Sequence, residues 1–171
     1  GKNIYDILKN QGKVFGFSSK KSYDKNIFKI DLNKFKLNKT KILLKKIGKI
    51  DEVFYVSNLS VNKNFVNISD LQIDKFINFN ILNFTKLIKI LIKNNNQIKI
   101  NLILSHICFM YNYGFSIYRA HKIFQKSLLS SLKIENPLIS INCIYPGAMK
   151  TRFQINNRYK GISIFKKKKK K

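Results

Sequence analysis

The 171 residues are enough for one domain with a single core, and a hydrophobic content of 44% can fill it. With 34 basic against 8 acidic residues the net charge is +26, which makes nucleic acid the first partner to weigh. No apolar run approaches the roughly 18 residues needed to cross a bilayer and no signal-peptide pattern opens the chain, so no membrane partner and a cytoplasmic location are expected.

Only Arg119, Arg152 and Arg158 are arginine, whereas arginine is the side chain favoured for bidentate contacts to phosphate and bases. The lysines are scattered among Asn, Ile and Phe, all residues with AT-rich codons. The joint excess therefore reads first as the nucleotide bias of an AT-rich genome and second as a selected basic surface. Cys108 and Cys143 lie in apolar surroundings without metal-ligand spacing, as buried free thiols of a reducing compartment would. The chain begins at Gly1 rather than Met, which leaves open residues upstream.

Taken in order, Ile4, Ile7 and Leu8 mark a short amphipathic helix ending near Gly12. Val14 to Phe17 and Ile27 to Leu32 read as buried strands, with only Ser22 to Asn26 between them. Leu37 to Ile47 is a lysine-rich helix with an apolar stripe at Ile42, Leu43 and Ile47. Val53 to Val56 is a third strand. A long helix from Leu71 to Ile92 carries Ile73, Ile77, Ile81, Phe84, Ile88 and Leu91 at spacings of three and four. Ile98 to Leu104 is a strand, Ile117 to Leu132 a helix and Leu138 to Ile144 a last strand. Short apolar strands separated by helices predict βαβ units and a parallel sheet covered on both faces. A single domain is expected over residues 1–165, with Lys166 to Lys171 as a solvated, disordered tail.

Tyr118 and Lys122 form Y-x-x-x-K, which on a helix puts both side chains on one face, one turn apart. With so many lysines, about one such pair arises by chance, and Tyr5 with Lys9 is a second copy. Context supplies the meaning. Ser105 ends an apolar strand thirteen residues before Tyr118, where open parallel sheets present reacting groups. Asn80 lies upstream in the long helix. After the Tyr–Lys helix come the strand Ser140 to Ile144, then Pro146-Gly147 and Thr151. Singly, these residues read as a solvated lysine, a half-buried tyrosine, a helix-capping serine and a polar helix asparagine.

In this order the set resembles the short-chain dehydrogenase/reductase family, from Gly1 to about Phe153. The resemblance implies a Rossmann-like, doubly wound parallel sheet with helices on both faces, lacking the family's first and last strands. It implies carbonyl reduction with a nicotinamide dinucleotide as hydride source. Tyr118 would donate the proton, and Lys122 would lower its pKa and hold the nicotinamide ribose. Ser105 would bind the substrate oxygen, and Asn80 would bind a water in a proton relay.

Gly1, ahead of Lys2 and a helix, looks like the last glycine of the family's T-G-x-x-x-G-x-G turn, whose remainder and preceding strand are absent. Ser18, Ser19 and Lys20 at the end of the second family strand include no acid for a ribose diol, so NADPH is expected in preference to NADH. Asp31 matches the family's adenine-contacting acid, and Asn58, Pro146, Gly147 and Thr151 fall at other cofactor positions. The family's Asn-Asn-Ala-Gly is here Tyr55-Val56-Ser57-Asn58, a departure at the cofactor and active site.

The ungapped match from Ile50 to Asn80, with Ser60-Val61-Asn62-Lys63-Asn64-Phe65 inside it, resembles the 3-oxoacyl-[acyl-carrier-protein] reductases. The implied substrate is an acyl-carrier-protein thioester, and the implied assembly a homodimer or homotetramer. The alternatives are a short-chain reductase of other specificity, a degenerate non-catalytic member and a basic RNA-binding protein. The last is disfavoured because the phenylalanines fall mostly at core positions rather than on one exposed face.

Overall fold

A computed structural model of the chain describes residues 1–20 and 22–147. Thr151, Arg152, Arg158 and the lysine tail lie outside the described residues.

Helix α1 (Lys2–Leu8) leads to strand β1 (Gly16–Ser18), which pairs in parallel with β2 (Ile27–Lys29). Both strands are shorter than the apolar runs predicted. The chain then turns through Leu32–Lys34 into α2 (Leu37–Ile47), which matches its predicted bounds. Lysines point outward from α2, while Thr40 and Leu44 are buried. Gly48 ends it with φ 92°, a conformation that a side chain would strain.

Strand β3 (Glu52–Tyr55) opens a second sheet of order β3-β4-β5, with β4 (Lys99–Ile103) central and β5 (Ser140–Ile144) beyond it, all parallel. The register aligns Tyr55, Leu102 and Cys143 across it. Instead of the single sheet anticipated, there are two, and the strands of both contribute to one groove of about 1510 Å³. Its walls include Val14 to Ser18 on one side and Ile50 to Asn58 on the other.

The predicted long helix is three pieces: α3 (Asp70–Ile77), a π-helical turn (Asn78–Leu82) and α4 (Asn83–Asn94). A capping box between Ser69 and Gln72 starts α3. Helix α4 buries Phe84, Leu87, Ile88 and Leu91 against Ile98, Ile100 and Leu102, forming the centre of the core. At the far end of α4, Asn94 and Asn95 fix the entry to β3. Asn94 bridges the Gly48 carbonyl and the Ile50 N–H, both at 3.0 Å, and Asn95 donates to the Ile50 carbonyl. The last helix, α5 (Ser116–Glu135), packs on β5 and on the π-helical turn. Among the described residues no helix is long and apolar enough to cross a membrane.

Candidate active site

Strand β4 is buried in its middle and delivers Ser105 at its carboxyl end. Pairing with the last segment continues there, the Leu104 N–H donating to the Ile144 carbonyl at 2.8 Å and His106 N–H to Pro146 at 3.0 Å. This holds the Ser105 turn against the segment carrying Pro146 and Gly147. Ser105 is also a cap, as its plain reading suggested: its Oγ accepts from the Ile107 N–H at 3.3 Å, starting the short helix His106–Phe109.

Tyr118 sits in the first turn of α5 and Lys122 one turn further, both buried. The side chains of Ser105 and Asn58 both favour the ionised form of the Tyr118 hydroxyl. Lys122 is not solvated. It is 2% exposed and donates from Nζ to the Ile103 carbonyl, at 3.0 Å, below Ser105 on the same strand. Burial lowers its pKa to about 8.

The expected lowering of the Tyr118 pKa by Lys122 is not what the structure gives. Burial raises the phenol above its ordinary value, and the opposing influences come from Ser105 and Asn58.

Asn80 lies in the π-helical turn and is fully buried. Its side-chain amide is committed to the Leu59 backbone, accepting from N–H at 3.1 Å and donating to the carbonyl at 2.8 Å. Its own carbonyl, displaced from regular α-helical bonding, accepts from Gln125 Nε2 at 3.2 Å. A water held by Asn80 would therefore have to share this carbonyl, which has a second lone pair. The amide also anchors Leu59, so one residue fixes the loop that carries Asn58.

Of the proposed cofactor residues, Gly1, Ser18, Ser19 and Asn58 line the groove. A Cβ on Gly1 would meet Val56 Cγ2 at 3.2 Å, a tight approach that suits glycine. The backbone N–H of Lys20 is bonded to Ser18 Oγ. Asp31 caps the turn at Leu32–Lys34 by accepting from the Asn33 N–H at 2.9 Å, the part of a strand-end acid. Neither Lys20 nor Asp31 contributes to the groove walls. The hydroxyls of Ser18 and Ser19 and the amide of Asn58 give the groove polar groups that a dinucleotide could contact. Cys108 is buried, Cys143 is half-buried, and both are free.

Sequence reasoning missed His121. It is 1% exposed, edge-on to Tyr118 and Phe76 with ring centroids 5.1 and 5.0 Å away. Neither ring nitrogen makes a well-formed hydrogen bond, although the carbonyls of Ile117 and Tyr118 approach from the preceding turn. Burial drives its pKa down to about 3. A titratable residue next to Lys122 was visible in the sequence, but its lack of partners was not.

Residues 24–160 match the family model described as short chain dehydrogenase, more than half of the chain. No curated protein sequence matches. Among solved structures, a short chain dehydrogenase/reductase of Saccharomyces cerevisiae is similar with TM-score 0.79 and 21% identity, over 91% of this chain and 69% of that one. A putative short chain dehydrogenase of Escherichia coli, complexed with NADPH, gives 0.69 and 16%, over 77% and 58%. A 4-hydroxyisoleucine dehydrogenase complexed with NADH and succinate gives 0.72 and 18%, over 88% and 77%. At these identities the likeness is one of fold, and the chain spans between 58% and 77% of the latter two.

Proposed function

The chain belongs to the short chain dehydrogenase family, and on that premise we propose that it is an NADPH-dependent carbonyl reductase acting on 3-oxoacyl-[acyl-carrier-protein]. The observation that carries the reductase reading is the packing of α5 against the turn that follows Ser105, with Lys122, one turn after Tyr118, buried and bonded to the Ile103 carbonyl two residues before Ser105.

Gly1, Ser18, Ser19, Lys20, Asn58 and Lys122 would hold the dinucleotide, with Pro146, Gly147 and Thr151 at the nicotinamide end. When bound, it supplies a hydride to the carbonyl carbon. Tyr118 gives its hydroxyl proton to the carbonyl oxygen, so that C=O becomes CH–OH and a phenolate remains. Ser105 donates to the same oxygen and stabilises the charge that develops there. The phenolate takes a proton back from solvent, and Lys122, fixed by the Ile103 carbonyl, would support the nicotinamide ribose. Asn80 keeps the Leu59 loop, and with it Asn58, in register.

The substrate class rests on the unbroken spacing from Ile50 to Asn80 and on the basic chain, which suits an acidic carrier protein. NADPH in preference to NADH rests on Ser18, Ser19 and Lys20. A homodimer or homotetramer and a cytoplasmic location belong to the same proposal. The test is reduction of acetoacetyl-[acyl-carrier-protein] against acetoacetyl-coenzyme A, with each nicotinamide cofactor. Preference for the carrier-protein thioester that fades with salt, and for NADPH, supports the reading. Equal rates on both thioesters would assign another specificity.

A further inference from the structure

We infer that the exposed face shared by α2 and α4 binds the phosphate backbone of a nucleic-acid duplex, at the end of the sheet away from Ser105. Helix α2 presents Lys39, Lys41, Lys45 and Lys46 to solvent, and α4 presents Lys86, Lys89 and Lys93. Neither helix carries an acidic side chain. The two helices pack against each other. Asn94, at the end of α4, donates to the carbonyl of Gly48, at the end of α2, so the last turns bearing Lys45, Lys46 and Lys93 adjoin. This corner lies by Ile50 at the amino end of β3, whereas Ser105 follows the carboxyl end of β4, and the two strands are parallel.

The charge on this face is uncompensated. Among the described residues, ion pairs join Lys9 to Asp6 and Lys99 to Glu52, and none involves α2 or α4. Lys41 with Lys45, and Lys89 with Lys93, are like-charged pairs one helical turn apart, with about 5–6 Å between their β-carbons, and such pairs repel. A polyanion laid across them relieves the repulsion and releases its own counterions. Three features choose the anion. Lysines act as point charges on phosphate, without the fork that reads bases. Among the described residues no exposed aromatic side chain lies on either helix, so unpaired bases find no stacking platform and a duplex is favoured over a single strand. Ile42 on α2 and Leu82 just before α4 are the exposed large apolar side chains here, too few for the apolar centre of a protein interface.

The test follows binding of a fluorescein-labelled DNA duplex of mixed sequence to the full chain by anisotropy, across a range of salt concentrations. One variant combines Lys41→Gln, Lys45→Gln, Lys89→Gln and Lys93→Gln. A control combines Lys9→Gln, Lys25→Gln, Lys29→Gln and Lys126→Gln, which removes the same charge from exposed positions elsewhere. The first should weaken binding at about 0.1 M salt at least tenfold and flatten the slope of log affinity against log salt by about 3, while the control changes affinity by less than about threefold. Lys45→Glu with Lys89→Glu, which gives Lys41 and Lys93 oppositely charged neighbours, should also weaken binding at least about tenfold and carries the test if the fourfold variant fails to fold. Equal losses in the two fourfold variants would overturn the assignment, because binding would then follow total charge. Tighter binding to vesicles containing phosphatidylserine than to the duplex would overturn it too, making the face a membrane-surface site. The readout is independent of reductase activity.

Discussion

Lys122 reaches back from the second turn of α5 to the main-chain carbonyl of Ile103, 3.0 Å away, in a position that is 2% exposed. Among the described residues its ammonium has a single hydrogen-bonded partner, although it can make three bonds. A buried charge with so few partners is costly, which is why its pKa falls to about 8.

That shift fixes a pH dependence of stability. Below pH 8 the lysine is charged in both folded and unfolded chains, so the full burial cost applies. Between about 8 and the ordinary value of 10.5 the unfolded chain binds more protons, and stability rises with pH. Compared with Lys122→Met, the wild type should gain about 2 kcal/mol between pH 8 and pH 10. Urea denaturation of both chains across that range measures it, and a constant difference would contradict the assigned pKa.

His121 gives the opposite limb. Its folded pKa of about 3 lies below the ordinary 6.5, so the unfolded chain takes up the proton first as pH falls. Stability on this account is full above about 6.5 and is lost on acidification towards 3. By pH 4, the wild type should have lost about 3 kcal/mol relative to His121→Leu. At pH 7, His121→Leu should be as stable as the wild type or about 1 kcal/mol more so, since both ring nitrogens are buried without good partners. Denaturation at the two pH values decides it.

The groove between the two sheets makes a prediction about folding. Strands β1 and β3 both border it, and β1 and β2 pair over only three residues each. An apolar five-residue strand joined ahead of Gly1 through a glycine-rich turn should insert there and raise the melting temperature by about 5 °C or more. The same extension with proline at alternate positions, unable to pair, should have no effect. Equal melting temperatures for the two would rule out strand pairing in the groove.

Ser105 has two duties, and its removal should show both. Ser105→Ala should destabilise the chain by about 1 kcal/mol through loss of the cap on the Ile107 N–H. It should also slow reduction by about 10²-fold through loss of the donor at the developing charge. Chemical denaturation and steady-state kinetics separate the two effects.

Much of this arrangement was legible in the sequence where one helix face or one strand decides the outcome. Helix α2 came out with its ends in place, closed by Gly48, but its stripe was misplaced: Thr40 and Leu44 are buried, whereas Ile42, expected on the apolar face, is exposed. Strand β5 and the strand end at Ser105 were readable from apolar runs of the right length. The π-helical turn at Asn78–Leu82 was not, because the three- and four-residue spacing runs through it unbroken. Nor was the extent of β1, predicted from Val14, because strand length depends on what pairs beside it. Asp31 was legible as a strand-end acid, and its carboxylate caps the turn that follows. Asn58, where the sequence departs from the family pattern, lines the groove.

The central claim is that Tyr118 supplies the proton of a hydride-dependent carbonyl reduction. The direct measurement is the rate of NADPH oxidation with an acetoacetyl thioester by the complete gene product and by its Tyr118→Phe variant, with NADPH binding followed separately by fluorescence. Removing the hydroxyl and leaving the ring should cut kcat by about 10²-fold or more and leave NADPH affinity nearly unchanged. A Tyr118→Phe variant that turns over at the wild-type rate would contradict the account.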